Sequence, residues 1–267
     1  RLPKMMFSAF CKDRTDSEPC MESNSYSKPY SAWYVAEANW VPVTEVVAVE
    51  ESVGIYYDGQ LIEEASCTPE DLKDLAIGYL YTSGTIECLD DVSCVEDGIG
   101  EAGLEVRVLS SNQRRIAESP RLPLRADATA GEFRVSPEAV HRASAALLGA
   151  QRMHRGTGAT HAAAFADLAG GYRCIREDIG RHNAVDKLIG ALLGSSTAPA
   201  SGFVHLSSRC ALDLVKKCAV FGIRLISTVS APTSAVIEFA DRQGIALCAF
   251  SRNGHFTVYT HPENLSR

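Results

Sequence analysis

The side chains best suited to chemistry lie in residues 176–187, a run with seven ionisable residues and one asparagine. An apolar stripe with helical spacing follows, made of Val185, Leu188, Ile189, Leu192 and Leu193. This spacing predicts a helix that begins within the charged run. At about 100° per residue, Arg181 and His182 fall on the buried side of the helix, whereas Asn183 and Lys187 point away.

Charges on a buried helix face need a partner or a ligand, because burying an isolated charge is costly. The N-terminus of a helix also attracts anions through its free N–H groups and its dipole. The run therefore indicates a site for an anionic ligand at the start of this helix. A structural alternative is an ion-pair network in which Asp178 and Asp186 neutralise Arg181.

Other turns offer donors to the same kind of ligand. A Gly-rich turn contains Thr157 and Gly158, where backbone N–H groups can approach an anion closely. Ser230 and Thr233 lie between a predicted strand and the next helix, and Arg209 occupies the equivalent place one unit earlier. Ligands of open α/β sheets bind outside the carboxyl ends of strands. These turns predict a phosphate cradle, with a tight loop and helix capping as the structural alternatives.

The second half of the chain alternates strands with helices. Strands are predicted at residues 160–167, 172–177, 203–206, 223–229, 245–250 and 255–259. Helices are predicted from the charged run to residue 194, at residues 208–221 and at residues 232–243. This alternation predicts an α/β fold, with a layered mixed sheet that carries helices on both faces.

The first half reads as a smaller, β-rich part. Residues 41–50 form a predicted strand, Asp58 and Gly59 form a hairpin turn, and Thr68 is the predicted N-cap of a helix. Residues 112–132 are predicted to be a loop. The predicted parts are residues 1–40, a partly disordered N-terminal extension; residues 41–135, an N-terminal α+β part; and residues 136–267, an α/β cofactor-binding part.

The composition is that of a soluble globular protein, with 46% hydrophobic residues and a net charge of −7 over 267 residues. This acidity argues against nucleic-acid binding. We expect no membrane span and no signal peptide, because no apolar run is long enough. Nine cysteines without framework-like spacing favour reduced thiols in the cytoplasm. Neither a phosphate-loop pattern nor a metal-ligand set stands out.

Two cysteines are candidates for a reactive thiol, since a helix N-terminus lowers the pKa of a thiol. Cys67 directly precedes the predicted N-cap Thr68, and Cys210 lies in the first turn of the helix predicted from Ser208. The alternative is that both thiols are small apolar core groups.

The chain resembles the FdhD/NarQ family of formate dehydrogenase accessory sulfurtransferases over residues 46–260. The matching blocks are Glu50 with Tyr57-Asp58-Gly59, Cys67-Thr68-Pro69-Glu70-Asp71-Leu72, Leu75-Ala76-Ile77-Gly78-Tyr79-Leu80, Thr157-Gly158 with His161-Ala162-Ala163, Glu177-Asp178-Ile179-Gly180-Arg181-His182-Asn183-Ala184 with Asp186-Lys187, Ser230-Ala231-Pro232-Thr233-Ser234, and Phe250-Ser251-Arg252. So many ordered blocks make the resemblance specific.

The resemblance implies a cytoplasmic homodimer with a fold related to the cytidine deaminases but without zinc. Family members take persulfide sulfur from a cysteine desulfurase and pass it to the bis-guanine-dinucleotide molybdenum cofactor, which then enters formate dehydrogenase. GDP is expected to mimic this ligand. The family's cofactor-binding segment falls on Phe250, Ser251, Arg252, Asn253, Gly254 and His255. The other cofactor-binding residues that we expect are Arg181, His182, Arg209, Thr157, Gly158, Ser230 and Thr233.

One departure concerns the sulfur carrier. The family carries sulfur on a CGxCG loop after the strand that matches residues 104–109, but residues 110–123 contain no cysteine and the chain has no CxxC. Ala159, Ser208 and Ala211 also replace residues usual in the family. The first hypothesis is a maturation factor that binds the cofactor and passes sulfur to it from one of the two candidate thiols. The second is a non-enzymatic cofactor carrier. A third hypothesis, a hydrolase such as a nucleoside deaminase, rests on fold kinship alone.

Overall fold

The computed structural model describes residues 25–111 and 133–266. The strands are β1 (Ser27–Ala36), β2 (Asn39–Ala48), β3 (Glu51–Tyr57), β4 (Gln60–Cys67), β5 (Val92–Gly100), β6 (Gly103–Ser110), β7 (His161–Asp167), β8 (Tyr172–Asp178), β9 (Gly202–Leu206), β10 (Leu225–Thr228), β11 (Ala246–Arg252) and β12 (His255–Thr260). The α-helices are α1 (Leu72–Thr82), α2 (Pro137–Ala150), α3 (Arg152–Thr157), α4 (Arg181–Gly194), α5 (Leu212–Phe221) and α6 (Ser234–Gln243).

The main sheet has six strands in the order β12-β11-β10-β9-β7-β8. Strands β9, β10 and β11 are parallel, whereas β7, β8 and β12 are antiparallel to their neighbours. The carboxyl ends of the parallel strands therefore meet the start of β7 and the end of β8 at one edge. The register pairs Ala163 of β7 with Leu206 of β9 and His161 with Asp178.

Helices cover both faces of this sheet, as the sequence predicted. Val204, Leu206 and their equivalents on neighbouring strands pack with α4, α5 and α6 in one core. Phe203 and the alternate residues of β10 and β11 pack against α2 in a second core. Successive strand residues point to opposite faces, so strands that are buried throughout, such as β9, lie between two helical layers.

A second sheet of order β4-β3-β6-β5 carries α1 and forms a separate apolar core. Its helix packs directly against α4, and two glycines allow the close approach. A Cβ atom on Gly78 would lie 1.8 Å from the backbone oxygen of Asp186, and one on Gly190 would lie 2.0 Å from that of Asp74. The smaller N-terminal part is therefore joined to the main sheet by a tight helix–helix contact.

The N-terminal ribbon shows that part of the predicted extension is ordered. Strand β1, within residues 1–40, pairs along its whole length with β2, while residues 1–24 lie outside the described residues. The loop predicted at residues 112–132 also lies outside them. In the described ranges, no helix is both long and apolar enough to cross a membrane.

Three predicted helix starts are wrong. Helix α1 begins at Leu72 after Asp71, and Thr68 is instead a buried residue whose side chain bonds Asp178. Helix α5 begins at Leu212 rather than at residue 208, and α6 at Ser234 rather than at residue 232. The turns before α5 and α6 form an isolated β-bridge with each other, between Cys210 and Pro232. Because this pairing holds both turns in extended conformation, each helix begins later in the sequence than predicted.

Candidate functional site

A cavity of about 940 Å³ opens at the carboxyl edge of the main sheet, on its α2 face. Three segments form its walls: the polar side of α2, the loop between α3 and β7, and the turn between β11 and β12. Ser207 and Val229, which follow β9 and β10, also line it. The site therefore lies where an open α/β sheet is expected to bind its ligand.

The β11–β12 turn owes its shape to its sequence. Arg252 pairs with His255 across a two-residue connection, and Asn253 and Gly254 have φ angles of 53° and 75°. Positive φ at both central residues is the type I′ hairpin that Asn-Gly favours. Phe250 also has a positive φ of 55°, within a register shift. This bulge orients Ser251 towards the cavity and α2, where the Ser144 hydroxyl donates to its carbonyl oxygen at 2.6 Å.

Glu177 fixes the loop between α3 and β7 through hydrogen bonds. Its buried carboxylate accepts hydrogen bonds from the backbone N–H groups of Met153 (2.9 Å) and His154 (2.8 Å) and from the Thr160 hydroxyl (2.9 Å). Gly158 ends α3 with a left-handed φ of 70°. The loop is thus fixed by one buried acid of the charged run, and Gly158 and His161 lie on the cavity wall.

The cavity lining differs in charge from the acidic chain as a whole. Among the described residues, the cavity lining includes Arg252, His141, His154 and His161 but no aspartate or glutamate. Burial and the nearby Arg181 guanidinium lower the pKa of His161, so this imidazole is neutral near pH 7. In a chain of net charge −7, such a lining favours a ligand with anionic groups.

Five of the predicted cofactor-binding residues meet at this cavity, namely Gly158, Ser251, Arg252, Asn253 and Gly254. Phe250 and His255 flank the turn without lining the cavity. The Thr157 hydroxyl is used within its own loop, donating to the Met153 carbonyl at 2.9 Å. The residues predicted to join the site that do not line the cavity are Thr157, Phe250, His255, Arg209, Ser230, Thr233, Arg181 and His182.

Arg181 and His182 are half-buried at the start of α4, and so is Asn183, which was predicted to point away. Burial therefore does not distinguish the two predicted sides of the helix at this end. The Arg181 Nε atom is buried and makes no hydrogen bond. Burial, followed by the charges of Arg181 and Lys217, lowers the pKa of His182. Neither residue lines the cavity, although the Arg181 guanidinium is close enough to lower the pKa of His161, which does. Contact of Arg181 and His182 with a ligand stays a prediction.

The prediction that Lys187 points away from the core is wrong. Lys187 is fully buried, and its Nζ atom lies 2.6 Å from Asp178 Oδ2. Asp186 likewise pairs with Lys217 at 2.8 Å. The structural alternative of an ion-pair network is therefore correct in kind, but lysines rather than Arg181 neutralise the two aspartates. The helical periodicity could not predict the burial of Lys187, because α1 packs against the side of α4 that carries it.

Neither candidate thiol has the environment that was predicted for it. Cys67 ends β4 and Cys210 precedes α5, so neither lies in a first helical turn. Both side chains are buried. Burial raises the pKa of each thiol to about 12, and the carboxylate of Asp178 adds to the effect at Cys67. The expectation that a helix N-terminus lowers these pKa values is wrong, and both residues pack as small core groups.

Alkylation of the native protein with iodoacetamide at pH 8 should therefore spare these two thiols. A pKa of about 12 instead of 9.0 leaves about a thousandfold less thiolate, and burial restricts access as well. Among the cysteines that the structure describes, Cys88, which is exposed, should be modified first. Peptide mass spectrometry after timed quenching gives the order; rapid labelling of Cys67 or Cys210 in folded protein would contradict this assignment.

Reading the sequence missed the contribution of α2 to the site. His141, Ser144 and Gln151 line the cavity, yet none of them was among the predicted site residues. Their spacing places them beside the buried stripe that includes Ala143 and Leu147. Polar residues at the border of such a stripe are common on surface helices, so no signal in the sequence marked them out.

A second missed residue is His205, which is fully buried in the centre of β9. Burial lowers the pKa of His205 to about 4, so the folded protein binds its proton less readily than the unfolded chain does. The stability contributed by the neutral form is present above the unfolded pKa and is lost as the pH falls towards the folded value.

Between pH 7.5 and pH 5, this difference amounts to about 2 kcal/mol. We therefore expect the free energy of unfolding of the wild type to fall by about that much more than that of His205→Leu over this interval. Urea unfolding followed by circular dichroism at both pH values measures it. Parallel losses in the two proteins would show that His205 does not titrate as stated.

Comparison with known proteins identifies the family that this chain matches. The model of the FdhD/NarQ family matches residues 48–266. A sulfur carrier protein FdhD from Bordetella petrii is 38% identical over 243 residues, which cover 82% of this chain and 86% of that protein. The sulfur carrier protein FdhD from Chromobacterium violaceum is 36% identical over 242 residues, covering 82% and 90%.

A solved structure supports the fold. A protein from Desulfotalea psychrophila, described as a formate dehydrogenase accessory protein, superposes with a TM-score of 0.76. The match covers 90% of this chain and 100% of that one at 24% sequence identity. At this identity the likeness establishes the architecture alone.

Proposed function

The chain belongs to the FdhD/NarQ family, and from that premise we propose that it binds the guanine-dinucleotide form of the molybdenum cofactor as cargo for formate dehydrogenase. The cavity at the carboxyl edge of the main sheet is the proposed binding site. In this proposal the protein is a cytoplasmic homodimer. A cysteine desulfurase is the sulfur donor in the sulfur-transfer alternative considered below. The relatives named above are sulfur carrier proteins, which supports a role in the same maturation process.

The observation that carries the proposal is the lack of carboxylates in the described cavity lining, together with the presence of Arg252. Its described lining combines Arg252 with three imidazoles and no carboxylate, although acidic residues outnumber basic ones in the chain, 33 to 26. Phosphate groups are recognised by guanidinium groups and by backbone N–H groups in turns. The Gly158 and Asn253-Gly254 turns supply such backbone on two sides of the cavity.

The size and chemistry of the cavity fit one nucleotide arm of this cargo. Small-molecule sites typically have volumes of about 300–1,000 Å³, and this one has about 940 Å³. Arg252 is exposed at the rim, where it can meet a diphosphate. The molybdenum and its dithiolene ligands are part of the cargo, and no residue of the cavity lining is assigned to hold them.

Isothermal titration calorimetry with GDP tests the binding site. We expect wild-type protein to bind GDP and Arg252→Ala to bind it about 10- to 100-fold more weakly, the range for a charge-assisted contact. Arg242→Ala is the matched control, because Arg242 is exposed in the last turn of α6 and away from the cavity. Absence of heat with wild type at millimolar GDP, or equal losses in both variants, would refute the proposal.

Sulfur transfer is the second candidate function, favoured by the names of the relatives. It needs a thiol that can carry a persulfide, yet no cysteine is among the described residues that line the cavity. Cys67 and Cys210 are buried with raised pKa values, and the sequence lacks CxxC. The structure therefore favours a cofactor carrier over a sulfur relay.

Incubation with a cysteine desulfurase and cysteine, followed by intact-mass spectrometry, separates the two functions. For a carrier we expect no adduct of sulfur on the folded chain. A stable adduct that maps to Cys67 or Cys210, and that is lost in the corresponding alanine variant, would instead support sulfur transfer.

A further inference from the structure

We propose that the N-terminal ribbon, formed by β1 and β2, is an arm that packs against a second copy of the chain and is covered by that copy on both faces. The inference deepens the proposed function, because it names the contact surface of the homodimer proposed there. No residue of the ribbon lines the cavity, so ligand binding and dimerisation can be tested separately.

The first observation is the exposure of the large apolar side chains of the ribbon. The two tryptophans of the chain, Trp33 and Trp40, both lie on it and are 62% and 64% exposed. Their rings contact edge to face, with centroids 6.4 Å apart. The other exposed large apolar residues of the ribbon are Tyr30, Tyr34, Val35, Val41 and Val47. Contiguous exposed apolar patches of this kind mark interaction sites.

The second observation is that both faces of the ribbon carry such side chains. Trp33 is the register partner of Pro42, and Trp40 lies two positions before Pro42 on the same strand, so the three share one face. Tyr34 and Val41 are also register partners and share the opposite face. The ribbon is a sheet of two strands, and an isolated sheet of that size is only marginally stable in water. Apolar cover on both faces would stabilise it.

The exposed apolar area of the ribbon matches one side of a stable dimer. An aromatic side chain buries about 150–250 Å², so the four exposed aromatic residues and three exposed valines offer on the order of 600–800 Å². A standard protein interface buries about 800 Å² per partner. Tryptophan and tyrosine are also the residues that most often dominate the binding energy of such interfaces.

Charge favours a second copy as the occupant. A net charge of −7 makes two copies repel each other over most of their surfaces. Residues 27–48 contain only Lys28, Glu37 and Glu45 as charged residues, so the ribbon is nearly neutral. It is therefore a surface on which two acidic copies can meet with little repulsion.

The shape of the ribbon also fits a second copy. A groove of about 310 Å³ on the ribbon is lined by residues 31–33 and 42–44, which is room for an aromatic side chain. The same surface carries exposed aromatic rings. A groove and the rings that can fill it on one patch are the self-complementarity that a two-fold interface requires.

Two prolines direct the contact to the faces of the ribbon rather than to its edges. Pro29 lies in β1 and Pro42 in β2, and each strand has the other as its sheet neighbour. Proline lacks the N–H group that a further strand would use, which hinders the addition of strands at an edge. We therefore expect the two copies to pack face against face.

Sedimentation equilibrium and tryptophan quenching test the inference on wild-type protein. We expect a dimer at micromolar concentration, with tryptophans shielded from the quencher acrylamide. The chain has no tryptophan outside the ribbon, so quenching reports on this surface alone. A monomeric wild type would overturn the inference, and shielded tryptophans in that monomer would show that another segment of the chain covers the ribbon. GDP binding by the monomer would leave the proposed function standing without the inference.

Substitutions on each face assign the contact to residues. Trp33→Ser combined with Trp40→Ser should raise the dissociation constant of the dimer about 100-fold or more, because a two-fold interface contains each residue twice. Tyr34→Ser combined with Val41→Ser should raise it about tenfold or more and expose both tryptophans to acrylamide. Ile99→Ser is the matched control, because Ile99 is 89% exposed on β5, outside the ribbon. Wild-type dimer affinity in either double variant would refute the inference.

Discussion

Lys187→Met is expected to lower the free energy of unfolding by about 3–5 kcal/mol, the usual cost of removing one partner of a buried ion pair. The Lys187 ammonium lies 2.6 Å from Asp178 Oδ2, and the side chains of both residues are 0% exposed. It also donates to the carbonyl oxygen (3.0 Å) and hydroxyl (2.9 Å) of Thr68. Methionine keeps the length of the side chain but leaves the Asp178 charge without its counter-ion.

The pair also joins three segments that are distant in sequence. Asp178 ends β8 and accepts from the backbone N–H of Thr68 (3.1 Å) and of Gly180 (2.7 Å) and from the Asn183 side chain (3.1 Å). Lys187 lies one helical turn further along α4. Losing the ammonium therefore loosens the link between β4 and the start of α4, next to the cavity.

Lys216→Met is the matched control for this prediction. Lys216 is on α5, and its ion pair with Asp213 is long, at 3.8 Å, and exposed. Exposed pairs contribute about 0–1 kcal/mol, so this variant should unfold close to the wild type in urea. A Lys187→Met protein as stable as the control would show that the buried pair is not a structural requirement.

Gly190→Ala is expected to destabilise the fold by about 3 kcal/mol, at the upper end for overpacking a core. The added Cβ would lie 2.0 Å from the Asp74 carbonyl oxygen and 2.9 Å from the Asp74 Cα. These are backbone atoms of α1, so the collision cannot be relieved by a side-chain rotation. The two helices would have to separate, which exposes the apolar core between them.

Gly194→Ala in the same helix is the control. Its added methyl group meets nothing within 4 Å, and alanine is favoured over glycine in helices by about 0.5–1 kcal/mol. Thermal unfolding by calorimetry should give a lower Tm for Gly190→Ala and an equal or higher Tm for Gly194→Ala. Similar Tm values for the two variants would contradict the close contact between α1 and α4.

Local sequence patterns predicted features that depend on neighbours along the chain. The Asp58-Gly59 pair predicts a hairpin turn, and the structure has a two-residue hairpin there. Likewise, the alternation of strands and helices predicts the layered sheet, because each periodicity reports which faces are buried. The end of α4 at Gly194 is also as predicted. These features need no knowledge of what packs against them.

Features that depend on distant partners were predicted less well. The starts of α5 and α6 are later than predicted because Cys210 and Pro232 pair with each other. The thiols of Cys67 and Cys210 are buried by other elements, which reverses the expected direction of their pKa shifts. Both errors have one origin: a turn residue was assigned to the nearest helix without knowledge of what covers it.

The sequence by itself determined the fold class, the hairpin turn at Asp58 and Gly59 and the end of helix α4 at Gly194. Only the tertiary structure decided that Lys187 is a buried partner of Asp178, that α2 supplies one wall of the cavity, and that His205 is fully buried in β9. The physical reason is that local periodicity specifies which face of an element is buried. The identity of the group it is buried against depends on contacts between segments that are far apart in the chain.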